Sequence, residues 1–187
     1  MRKRIAIFAS GSGTNAEAIM QHFTNSESAE VALVLSNKPD AYVLERAKKF
    51  DVPTLVLDRD TFKNSKDIVD RLKAENISLI VLAGFLWLIP AQMVKAFPNR
   101  IVNIHPALLP KYGGKGMYGM KVHQAVKDAG EKETGITIHY VNEHYDEGQI
   151  IHQAKCEVVA QDSPDDIAQK IHLLEHKHFP RVIAEVI

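Results

Sequence analysis

Through its first half the chain alternates short apolar runs with amphipathic stretches. The runs are Ile5–Ala9, Val31–Leu35, Thr54–Leu57, Leu79–Ala83 and Ile101–Ile104. Each is too short for a core helix and of the right length for a strand. Between them, apolar residues recur at helical spacing: Ala16, Ile19, Met20 and Phe23 in Asn15–Phe23, Val43, Ala47 and Phe50 in Tyr42–Phe50, and Ile68, Val69 and Leu72 in Ser65–Glu75. Pro90–Phe97 completes the series, with proline tolerated at a helix start. Apolar strands without polar alternation are buried on both faces, which is the mark of a parallel sheet between two helical layers.

The second half differs. Lys111–Met120 holds Gly113, Gly114, Gly116 and Gly119 and is expected to be a flexible loop, followed by a helix over Val122–Ala129. Ile136, Ile138 and Tyr140 then alternate with polar residues, and Ile150–Val159 is again extended. These two read as a strand pair joined through Asn142–Gln149. Ser163-Pro164-Asp165-Asp166 has the form of a helix N-cap with proline in the first turn. The final helix places Ile167, Ile171 and Leu174 inward, and Pro180 is expected to bend or interrupt it. The expected fold is α/β: one domain over 1–187, with a mostly parallel, Rossmann-like sheet covered by helices on both faces, plus an antiparallel C-terminal strand pair. Residues 1–110 form its βα half, and 111–187 the loop, strand pair and final helix.

Composition narrows the partners. Lys+Arg and Asp+Glu both total 23, so no global field favours nucleic acid or a membrane surface. No apolar run approaches the roughly 20 residues of a membrane span. The start, Met1-Arg2-Lys3-Arg4, is basic, but the apolar stretch behind it is too short for a signal peptide and reads as a solvated lead-in to the first strand. A single cysteine, Cys156, excludes an internal disulfide and suits a reducing cytoplasm. His172 and His176 stand at metal-ligand spacing but lack a His-Glu-x-x-His pattern or a partner cysteine, so no metal is expected.

The candidate chemistry sits at the end of the fifth strand, in Val102-Asn103-Ile104-His105-Pro106-Ala107-Leu108-Leu109-Pro110. Asn103 and His105 are two apart and point the same way on a strand. Pro106 stops the strand, so the pair stands where a loop begins. An amide donor beside an imidazole suits a developing oxyanion, and a carboxylate such as Asp146 orients the imidazole and raises its pKa. Together the three suggest acyl or formyl transfer without a covalent nucleophile. A second feature is Ser10-Gly11-Ser12-Gly13-Thr14-Asn15, between the first strand and first helix. Its glycines let backbone N–H groups approach a phosphate at a helix N-terminus. Ser36-Asn37-Lys38 after the second strand offers no acid for a ribose hydroxyl, so a phosphomonoester fits better than a dinucleotide. A plain helix-capping turn is the alternative.

The string Asn-Ile-His-Pro-Ala-Leu-Leu-Pro, with Tyr145-Asp146 downstream, resembles the signature of the folate-dependent formyltransferases. Similarity runs along nearly the whole chain, through Leu82-Ala83-Gly84-Phe85, Val141–Gln153 and Leu174-Glu175-His176. Within that family it is nearest the enzymes that formylate glycinamide ribonucleotide in purine (IMP) synthesis. The resemblance implies formyl transfer from 10-formyltetrahydrofolate to the amine of 5'-phosphoribosylglycinamide, with no metal. Asn103 then donates to the formyl oxygen, protonated His105 stabilises the charge and moves a proton, and Asp146 keeps the pKa of His105 high. Gly13, Thr14 and Asn15 hold the phosphate, and Glu175 the glycinamide end. Folate lies against Leu86, Trp87, Leu88 and Ile89, beside Asn103 and the stretch Asn142, Glu143, His144, Tyr145 and Asp146. The resemblance also implies small-molecule partners only, a cytoplasmic location, and a monomer or homodimer.

Two departures stand out. Trp87 occupies a place where family members often carry arginine. Tyr112–Lys121 is longer and richer in glycine than the family's Lys-Tyr-x-Gly-x-His pattern, and is either a lid or a variable surface loop. Three rivals remain. Methionyl-tRNA formyltransferases usually carry a second β domain and a basic surface, whereas this chain ends at Ile187 and is neutral. Formyltetrahydrofolate hydrolases carry an N-terminal regulatory domain, whereas the sheet here begins at Ile5. A non-enzymatic nucleotide-binding module leaves Asn103, His105 and Asp146 unexplained.

Overall fold

The computed structural model describes residues 2–187, so Met1 of the basic lead-in lies outside it. Its centre is one seven-stranded sheet in the order β3-β2-β1-β4-β5-β6-β7. The strands are β1 (Lys3–Phe8), β2 (Ala29–Ser36), β3 (Thr54–Val56), β4 (Ile77–Leu82), β5 (Ile101–His105), β6 (Glu133–Tyr140) and β7 (Ile150–Glu157). β1 to β5 pair in parallel, and β6 runs antiparallel to both β5 and β7. The fold class expected from the apolar pattern is the one observed.

The helices are α1 (Thr14–Phe23), α2 (Tyr42–Lys48), α3 (Arg59–Asn64), α4 (Lys66–Ala74), α5 (Ala91–Ala96), α6 (Met120–Asp128) and α7 (Pro164–Val186). Alternation along β1 shows how they cover the sheet. Ile5 and Ile7 enter a core shared with α1, α2, α6 and α7, whereas Ala6 and Phe8 enter another shared with α3, α4 and α5. Each fully buried Ile, Leu or Phe contributes about 1.5–3 kcal/mol, and both faces are lined with them.

Three elements differ from the sequence expectation. Helix α3 was not anticipated: it has one buried residue, Phe62, and therefore no periodic stripe; the Asp58 carboxylate starts it by accepting from the N–H groups of Asp60 and Thr61. In β6 the polar alternates are buried as well, because the strand is interior to the sheet. The Thr137 hydroxyl donates to Ala107 O at 2.7 Å and accepts from Leu109 N–H at 3.0 Å and the Gln153 amide at 2.9 Å. Helix α7, opened by a Ser163–Asp166 capping box, keeps helical backbone through Pro180, so of the bend or interruption expected there the interruption does not occur. Proline removes one internal hydrogen bond, but Ile171 before it and Phe179, Val182 and Ile183 around it are buried in one core and hold both halves in place.

Candidate active site

Strand order reverses between β1 and β4, so the loops after these strands lead apart and open a crevice at the strand ends. The two loops are laced together: Ser10 N–H donates to Gly84 O at 3.1 Å, and its hydroxyl accepts from Leu86 N–H at 2.9 Å. The crevice widens into a cavity of about 720 Å³.

One wall is the glycine loop. Gly13 caps α1 with φ 76, and a Cβ there would stand 2.8 Å from the Val43 Cα, so packing of α1 against α2 itself demands glycine. Arg46 braces the loop by donating to Ser12 O at 2.8 Å and pairing with Glu17. Thr14 and Asn15 open the helix with their N–H groups at the cavity, and Lys38 stands on the same wall. The Asn15 amide donates to Glu175 at 2.9 Å, joining the start of α1 to α7. Glu175 is buried, and burial raises its pKa against the opposing pull of Asn15 and His172. Asn15 Oδ1 and His123 Nδ1, both buried, have no hydrogen-bond partner among the described residues. Burial pushes the His123 imidazole down to about 4, so it is neutral near pH 7.

The opposite wall gathers Asn103, His105 and Asp146. Asp146 sits at φ 56 in the turn after β6. Its Oδ2 accepts from Gly114 N–H at 2.9 Å and faces His105 Nδ1 at 3.5 Å; its Oδ1 lies 3.5 Å from the Asn103 amide nitrogen. His105 Nε2 is 2.8 Å from Tyr112 O. Both ring nitrogens thus face acceptors, an arrangement that only the imidazolium satisfies fully. Burial nevertheless outweighs Asp146 and the Tyr112 carbonyl, and the His105 pKa lies below its ordinary value. This corrects the expectation of a pKa held high: Asp146 raises it, but from a level that desolvation has already lowered. Burial also pushes the Asp146 carboxyl up, yet the Gly114 N–H and the nearby His139 and His105 rings bring it below the usual range.

The rest of the cavity is more apolar. Leu86 and Leu88 are exposed at its rim. Trp87 is half-buried, packed against Phe62 and Phe85 with the Arg59 guanidinium 5.8 Å from its ring, and Ile89 is buried in the core beneath. His144 and Tyr145 reach the cavity wall, but Asn142 and Glu143 do not. The Asn142 side chain turns back to accept from His144 N–H at 2.8 Å, and Glu143 faces Lys95 at 3.7 Å on the outside. Among the described residues no group of three or more His, Cys, Asp or Glu is placed to hold a metal, and no helix is long and apolar enough to cross a membrane.

Residues 3–183 match the family model described as formyl transferase. The chain belongs to the formyl transferase family. This formyltransferase is 39% identical over 190 residues to phosphoribosylglycinamide formyltransferase of Bacillus subtilis, covering 99% of this chain and 95% of the relative. It is 41% identical to the chloroplastic phosphoribosylglycinamide formyltransferase of Arabidopsis thaliana, over 99% of this chain but only 65% of that longer protein. The crystal structure of phosphoribosylglycinamide formyltransferase from Bacillus halodurans superposes with a TM-score of 0.89 at 39% identity, covering 98% of this chain and 95% of that one.

The site of this formyltransferase also contains residues that sequence reasoning did not single out. His139 is the foremost. It lies directly across from Asn103 in the β5–β6 register, and its Nε2 is 3.1 Å from the Asn103 amide while Nδ1 reaches Tyr140 O at 2.9 Å. Its position among the alternating residues of β6 was the available signal, but the register that makes it a partner is not written in either strand alone. Lys38, His123 and His172 reach the cavity through loops and helices distant in sequence. The Gly114–Gly119 segment lines it too, and Gly114 is bonded to Asp146, so this stretch is part of the site and not a detached surface loop.

Proposed function

We propose that this enzyme transfers the formyl group of 10-formyltetrahydrofolate to the amine of 5'-phosphoribosylglycinamide, a step of purine (IMP) biosynthesis, in the cytoplasm. The observation that carries this reading is the convergence of Asn103, His105 and Asp146 on one wall of a cavity whose other wall pairs a glycine loop with the Asn15–Glu175 contact.

The amine lone pair forms the new C–N bond, and the carbonyl pair moves onto oxygen. The bond to the folate nitrogen then breaks, that nitrogen gains a proton and the amine loses one. Asn103 has two amide hydrogens: one is engaged by His139, and the other has only a long 3.5 Å contact to Asp146, so it is free to turn to the oxyanion. Protonated His105, held by Asp146, stabilises the same charge and moves the proton. The N–H groups of Gly13, Thr14 and Asn15 hold the phosphate, with Glu175 at the glycinamide end. Leu86, Trp87, Leu88 and Ile89 with His144 and Tyr145 face the folate. In this reading 1–110 is the phosphate-binding half and 111–187 supplies the folate-site loop, the strand pair and the final helix. Loss of one oxyanion donor typically costs about 10²–10³ in kcat. Asn103→Ala and His105→Ala are each expected to lose at least that much with their melting temperatures retained; near-wild-type turnover in either would refute its role.

A further inference from the structure

The segment Lys111–Gly114 grips both members of the proposed reacting pair through its backbone. The Tyr112 carbonyl accepts from His105 at 2.8 Å, and the Gly114 N–H donates to Asp146 at 2.9 Å. It does so with one residue in an unfavourable conformation: Tyr112 is left-handed at φ 57, beside Gly114 at φ 93, which glycine adopts freely. For a tyrosine that geometry costs energy and persists only where surrounding contacts enforce it. Gly113 is pressed in place as well, since a Cβ there would stand 2.5 Å from Leu109 Cδ2 and 3.3 Å from Asp146 Cβ. The Tyr112 ring packs against the core, and its hydroxyl makes a second holding contact outside the cavity, in the turn between α6 and β6. There Glu131 Oε1 accepts from the Tyr112 hydroxyl at 2.8 Å and from Lys111 Nζ at 2.8 Å. Glu131 itself touches neither His105 nor Asp146 and does not line the cavity.

We infer that Glu131 is a positioning residue for formyl transfer: by anchoring Tyr112 and Lys111 it fixes the Tyr112 carbonyl against His105 and the Gly114 N–H against Asp146. The inference rests on the reading of His105 and Asp146 as the reacting pair. The charged and titratable groups facing that pair are His139 on β6 and His123 on α6, and those facing Glu131 are Lys111 and Tyr112, with Glu133 near Lys111. The variants below leave His139, His123 and Glu133 in place. The Tyr112 carbonyl favours the protonated imidazole, so loosening it lowers the pKa of His105. If the protonated form is the active one, the alkaline limb of the rate profile then moves to lower pH.

The test compares Glu131→Gln, Glu131→Ala, Tyr112→Phe and His105→Ala in steady-state formyl transfer across pH, with thermal melts of each. Gln keeps a carbonyl oxygen for the phenol, so Glu131→Gln is expected within about twofold of wild type, whereas Glu131→Ala and Tyr112→Phe lose about tenfold in kcat. In both of the latter, KM for each substrate is expected to stay within about twofold and the alkaline limb to shift down. Tyr112→Phe keeps the ring and its packing, so it remains informative if Glu131→Ala melts early. Wild-type kcat and pH profile in Tyr112→Phe, with His105→Ala inactive, would overturn the inference while leaving the pair intact. Wild-type turnover in His105→Ala would overturn the reading of the pair, and the inference with it.

Discussion

Two opposing effects act on His105, and burial is the larger. Burial favours the neutral ring, and the acceptors on its two nitrogens favour the imidazolium. Asp146→Asn removes the negative partner but not the burial, so the folded pKa falls further. Activity that depends on protonated His105 is present below that pKa and lost above it, so the alkaline limb of kcat/KM is expected to move to lower pH. An unmoved limb would make Asp146 a turn residue only. Glu175 runs the other way. Its folded pKa is raised by burial, so the folded state binds that proton more tightly than the unfolded one, and stability falls as pH rises above the ordinary glutamate range. Glu175→Gln keeps an oxygen for Asn15 and removes the buried charge. It is expected to melt higher than wild type at pH 8, to match it near pH 4, and to raise KM for phosphoribosylglycinamide by about 10–100-fold, the worth of a charge-assisted hydrogen bond. Asn103, His105 and Asp146 stood out in the sequence through short motifs and Glu175 through the family resemblance, and all four line the one cavity. His139 and Tyr112 did not stand out, because each acts through a partner that only the β5–β6 register or the loop path supplies.

Element by element, the apolar runs located the five parallel strands, while alternation located β6 and a second extended stretch β7. The elements without a stripe were harder. Helix α3 depends on an Asp58 cap and a single buried phenylalanine, and β6 hides Thr137 and His139 behind an alternation that suggests a wet face. The glycine loop shows why a motif needs its packing. Gly13 stands where phosphate-binding loops carry glycine, yet Val43 alone excludes a side chain there. Gly13→Ala is therefore expected to destabilise the fold by about 1–3 kcal/mol, from overpacking and the left-handed backbone together. In a chain of this size that lowers the melting temperature by roughly 2–4 °C per kcal/mol. An unchanged melt would show that α2 yields at Val43. A rise in KM for this variant would not by itself establish a phosphate contact, so Glu175→Gln is the cleaner probe of the ribonucleotide site.

At the scale of the molecule, winding decides where chemistry happens. The order β3-β2-β1-β4-β5 opens a crevice between the loops after β1 and β4, and β5 beside it ends in Asn103 and His105. The antiparallel β6 then brings His139, and the turn after it Asp146, back to the same edge. Alternation of strand and helix was enough to anticipate a parallel sheet and a final antiparallel pair. It was not enough to anticipate that the glycine-rich segment would close over His105 and Asp146, because a loop without a stripe of its own is placed by the residues it touches. Net charge of zero supplies no global field for a polyanion, in keeping with the proposal of a small acceptor held by local contacts. The most direct test is steady-state formyl transfer from 10-formyltetrahydrofolate with phosphoribosylglycinamide, initiator methionyl-tRNA or water as acceptor. The account predicts turnover with the ribonucleotide alone. Turnover with tRNA or water in its place, or no turnover with any of the three, would contradict it.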